Sequence, residues 1–91
     1  MDKTSALNNL QNFLEENSNL KPTEGFILSE PLEQKVDDEV IFYFWWIEQS
    51  GRNARGGYSY YVMPDGEVLM PGGGSGHPEN VDSIYTRWKS L

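Results

Sequence analysis

The chain has 91 residues, with 14 acidic and 7 basic side chains for a net charge of −7, and it contains no cysteine. A chain of this length fits one domain, 1–91, burying on the order of 60–65% of its unfolded surface, and is too short for a two-lobed enzyme. The missing cysteines exclude disulfide staples, thiolate zinc sites and a cysteine nucleophile. Neither a cationic start followed by an apolar run nor any ~20-residue apolar stretch is present, so a cytoplasmic location without membrane contact is expected.

In chain order, Thr4 to Asn17 reads as a helix with Ala6, Leu7, Leu10, Phe13 and Leu14 on one stripe and Thr4 or Ser5 as its cap. Asn17-Ser18-Asn19 and Pro22 end it. Gly25 to Leu28 suggests a brief edge strand closed by Glu30-Pro31. A charged stretch, Glu33 to Glu39, leads into Val40 to Ile47, a strand apolar in both of its alternating sets. Ser50 to Gly57 is read as a long turn, Tyr58 to Met63 as a strand, Pro64-Asp65-Gly66 as a tight turn and Glu67 to Met70 as a further strand. A glycine loop, Pro71 to Gly76, precedes a second helix opened by Pro78 and striped with Val81, Ile84, Tyr85 and Trp88. The order α-β-β-β-β-α predicts an α+β fold: a four-stranded antiparallel meander flanked by an N-terminal and a C-terminal helix. Both helices are expected on one sheet face, with the other partly open.

The charge is concentrated. Residues 15–48 hold nine acidic and two basic side chains, which accounts for the whole net charge of −7. Such a field repels nucleic-acid phosphates and favours a protein with a basic surface. Asp37, Asp38 and Glu39 are therefore read either as a solvated face or as part of a docking surface that steers a cationic partner.

No motif selects a reaction. His77 is the one histidine, and its nearest serine, Ser75, lies in a glycine loop unsuited to rigid catalytic geometry. Gly72 to Gly76 lacks the lysine and hydroxyl residue that follow a phosphate-cradling loop. Asp37-Asp38-Glu39 lacks the spacing of a calcium loop. No catalytic residue, metal or cofactor is expected. The aromatic residues carry more: Tyr43, Trp45, Trp46, Tyr58 and Tyr60 lie on two strands expected to pair. Ordinary cross-strand packing explains part of them, and the uncovered half has the composition of a protein-binding hot spot. Arg52 and Arg55 on the intervening turn are read as loop-solubilising residues or a contact for a partner carboxylate.

Four features together resemble the immunity protein 35 (YrhB-like) type of bacterial polymorphic-toxin immunity proteins. They are the N-terminal helix, the aromatic strand Ile41 to Ile47, the hairpin Tyr60-Tyr61-Val62-Met63-Pro64-Asp65-Gly66-Glu67-Val68, and the glycine loop leading through His77-Pro78-Glu79 to an aromatic closing helix. Gly56-Gly57 takes the place of a glycine-containing approach to the hairpin, while Ser50 to Gly57 and the triglycine loop depart from the pattern. The resemblance implies a non-enzymatic inhibitor that occludes one toxin. A phage or mobile-element inhibitor of a host defence enzyme shares the same size and acidity. A small ligand-binding or enzymatic domain is the rival from another class, and an aromatic face buried in a homodimer remains an open alternative.

Overall fold

A computed structural model of the chain describes residues 1–22, 24–50, 58–72 and 79–91. Along it lie helix α1 (Lys3–Glu16), a 3₁₀ turn at Ser18–Leu20, strands β1 (Phe26–Leu28), β2 (Leu32–Val36), β3 (Glu39–Glu48), β4 (Ser59–Val62) and β5 (Val68–Leu69), and helix α2 (Val81–Lys89). The fold is α+β with an antiparallel sheet between two helices, and the sheet has five strands instead of four.

The additional strand is β2, in the stretch read as a charged run. Only the ends of Leu32-Glu33-Gln34-Lys35-Val36 are apolar, so it lacks the alternation that marks a half-buried strand. Its partner recruits it: Val36 pairs with Glu39 across Asp37 and Asp38, whose φ angles are 50° and 65°. Two successive positive φ values give a two-residue hairpin turn whose twist matches its strands, and aspartate is among the few side chains that tolerate it.

β3 has ten residues, enough to pair with β1 and β2 along one edge and with β4 along the other; β5 then flanks β4. Between the pairs Leu28↔Trp46 and Leu32↔Tyr43, the residues Ser29, Glu30 and Pro31 oppose Phe44 and Trp45. One extra residue is thus inserted, a β-bulge. Buried Ser29 repairs the ladder there. Its N–H donates to the Trp45 carbonyl at 2.7 Å, and its hydroxyl accepts from the Trp45 N–H at 3.0 Å.

The helices lie on opposite faces of the sheet, a correction to the one-face expectation. Phe42, Phe44, Tyr60 and Val62 pack with Ala6, Leu10 and Leu14 of α1. Ile41, Tyr61 and Met63 pack with Ile84 and Tyr85 of α2. The reason is visible in β3 and β4, where both alternating sets are apolar and each therefore needs a cover. The helix starts also differ from expectation. Asp2 caps α1, accepting the Ser5 N–H at 2.8 Å, and Asn80 caps α2, accepting the Ser83 N–H at 2.9 Å. The predicted start at Pro78 lies outside the described residues. The Pro64-Asp65-Gly66 turn forms as predicted, with the Gly66 N–H donating to the Met63 carbonyl at 2.8 Å. Gly66 has φ +92°, a backbone conformation that residues with a side chain rarely adopt, so the turn calls for glycine there.

Candidate functional site

At ~1.5 Å per residue the nine residues of α2 span ~14 Å, whereas ten residues of β3 extend ~33 Å. Where α2 is pinned therefore decides what it leaves open. The Tyr85 hydroxyl donates to Glu39 Oε2 at 2.7 Å, and Lys89 Nζ stands 3.4 Å from the same oxygen and over the Tyr85 and Trp88 rings. Glu39 begins β3, so α2 is fastened at that end. The Tyr85 hydrogen bond, with Lys89 beside it, holds the Glu39 carboxyl below its ordinary range.

Toward the other end, Tyr43, Trp45 and Ile47 alternate onto the α2 face, joined by Ile27 opposite Ile47 and Leu32 opposite Tyr43. Ile27 is 50% and Leu32 48% exposed; besides Met1 and Leu91 at the chain ends, they are the exposed large hydrophobic residues among those described. Tyr43, Trp45 and Ile47 are half-buried, with Tyr43 stacked on Trp45 at 5.6 Å and tilted against Tyr61 at 4.7 Å. Ile27 and Leu32 stand five residues apart and would fall on opposite faces of a regular strand. The bulge at Ser29–Pro31 shifts the alternation by one and brings both onto the same face.

The structure thus brings Tyr43 and Trp45 together and separates the other sequence candidates. Trp46 points to the α1 face, where its Nε1–H donates to the Tyr60 hydroxyl at 2.9 Å. Tyr60 itself is fully buried and donates in turn to the Leu20 carbonyl, so it is a core residue and not a contact for a partner. Burial pushes its phenol above the usual range. Tyr58 packs half-buried beside the same cluster. Asp37 and Asp38 are exposed at the hairpin tip, while Glu39 is engaged with α2. Arg52 and Arg55, like Ser75 and His77, lie outside the described residues. Sequence reading missed Ile27 and Leu32. The usable clue was Ser29-Glu30-Pro31 set between two apolar positions of odd spacing.

On the α1 face, two adjoining open grooves of about 380 and 480 Å³ share Gln11 and Leu28. Phe44 and Trp46 form part of their walls, and Lys3, Glu30, Lys21 and Glu15 stand along them. Among the described residues, no cluster of His, Asp or Glu is suited to hold a metal ion, and no helix is long and apolar enough to cross a membrane. The remaining charged cluster is structural. Glu79 Oε1 accepts from the Gly72 N–H at 2.7 Å, and Arg87 donates to Glu79 and, at 2.7 Å, to the Met70 carbonyl just beyond β5. The Gly72 N–H, and then Arg87, hold the Glu79 carboxyl below its ordinary range. The chain matches no family model, no curated protein and no solved structure closely enough to show a relationship.

Proposed function

We propose that this protein is a small acidic inhibitor that binds a partner protein stoichiometrically and occludes it, in the manner of an immunity protein against a bacterial toxin. The observation that carries the reading is the apolar surface around Ile27 and Leu32, left open by a short helix and assembled by a bulge. An exposed patch of large hydrophobic side chains beside stacked aromatics is the composition of an interface core. Its surround sets the partner's sign: Glu24, Glu30 and Glu33 stand exposed beside β1 and at the start of β2. That field attracts a basic protein surface and opposes the phosphates of nucleic acid. The same charge opposes burial of the patch between two copies of this chain.

The test is site-specific photo-crosslinking in producing cells, with the reactive residue at position 27 or 32 and controls at the exposed positions Asn12 and Asp82. The expected result is one adduct mass from 27 and 32 and none from 12 or 82, with the captured protein losing its activity on adding one equivalent of this chain. Adducts from all four positions, or a captured protein whose activity one equivalent leaves unchanged, would refute the reading.

A further inference from the structure

We propose that the partner docks by strand addition: an extended segment, apolar at alternate positions and flanked by lysine or arginine, pairs with the outer edge of β1. This names the docking mode of the surface described above and rests on that reading. The Gln49 N–H donates to the Gly25 carbonyl at 2.8 Å and the Ser29 N–H to the Trp45 carbonyl at 2.7 Å. In an antiparallel ladder these bonds alternate, so Gly25, Ile27 and Ser29 turn their main-chain groups toward β3, whereas Phe26 and Leu28 turn theirs outward. Among the described residues, no strand pairs with that outer side.

The opposite edge of the sheet is guarded. β5 has two residues, and Arg87 occupies the Met70 carbonyl directly after it. α1 lies chiefly over β4 and β5, which leaves the two grooves open between the helix and the β1–β2 edge. One added strand satisfies what β1 leaves open. Its backbone meets Phe26 and Leu28, alternate side chains enter the groove against Leu7, Gln11 and Leu28, and the intervening ones cover Ile27 on the other face. Charge defines its sequence further. Lys3 and Lys21 balance Glu15 and Glu30 along the groove, which suits uncharged residues at its centre. Glu24 and Glu33 lie beyond, exposed, and suit cationic flanks.

The probe is a synthetic heptapeptide alternating valine and threonine with lysine at both ends, added to millimolar concentration and followed by amide exchange and ¹⁵N shifts. The expected result is at least ten-fold slower exchange at the Phe26 and Leu28 amides and binding that weakens with salt. Methylating alternate peptide nitrogens should weaken binding at least ten-fold. Ile27→Lys and Gln11→Trp, both at exposed positions, should each do the same while thermal melting stays near the parent's. Unchanged exchange at Phe26 and Leu28 would overturn the proposal, as would equal binding of the methylated or a glutamate-flanked peptide, or protection of those amides by self-association. Photo-adducts from position 32 alongside any of these results would leave the inhibitor reading standing and remove strand addition alone.

Discussion

The face under α1 and the face under α2 use alternate residues of the same two strands, yet they are finished differently. Fourteen residues of α1 bury Ala6, Leu10 and Leu14 over Phe42, Phe44, Tyr60 and Val62, and the 3₁₀ turn that follows supplies the carbonyl that receives the Tyr60 hydroxyl. Nine residues of α2 bury Ile84 and Tyr85 at one end and stop short of Ile27 and Leu32. Apolar side chains at the covered positions stabilise the protein by burial, whereas those at the uncovered end are expected to add little, which is what the proposed interface requires of them.

Substitutions sharpen that contrast. Leu10→Ala, which empties a fully buried site, should cost about 2–5 kcal/mol in chemical denaturation. Ile27→Ser and Leu32→Ser should stay within about 0.5 kcal/mol of the parent, and a loss comparable to Leu10→Ala would show that the patch is core after all. Tyr60→Phe leaves the Leu20 carbonyl and the Trp46 N–H without their partner and should cost about 1–3 kcal/mol by the same method. Asp38→Gly relieves a side chain held at φ 65° and should raise stability by about 0.5 kcal/mol, leaving binding untouched if the tip only turns the chain. The smallest effect concerns pH. Glu39 and Glu79 have carboxyls lowered from an ordinary value of 4.5, so their contribution is complete above that value and lost as pH falls through the lowered ones. Glu39→Gln and Glu79→Gln should flatten the acid limb of a thermal-melting profile; an unaltered limb would remove both clamps from the account.

Much of the frame was legible because its residues obey a period. The stripe Ala6-Leu10-Leu14, the doubly apolar strand around Phe42 and Phe44, and Pro64-Asp65-Gly66 each specify local geometry without help from elsewhere. β2 was not legible, since three polar residues at its centre take extended form only through pairing with β3 and an aspartate pair replaces the usual glycine-bearing turn. The placement of the helices was misread for a related reason. Periodicity shows that α2 is amphipathic, but which face it meets depends on the crossing from β5. Of the candidate site, Tyr43 and Trp45 were readable as aromatics of one alternating set. Trp46 and Tyr60 were indistinguishable from them by composition, although the sheet register sends them to the core. Ile27 and Leu32 were missed because one inserted residue, signalled only by Ser29-Glu30-Pro31, reverses the alternation.

The most direct measurement is the mass of the native complex formed between this protein and its photo-captured partner, compared with that of the Ile27→Lys, Leu32→Lys double variant. A one-to-one complex is expected for the parent and none for the double variant, whose thermal melting remains within a few degrees of the parent's. A double variant that melts normally and still forms the one-to-one complex would contradict it.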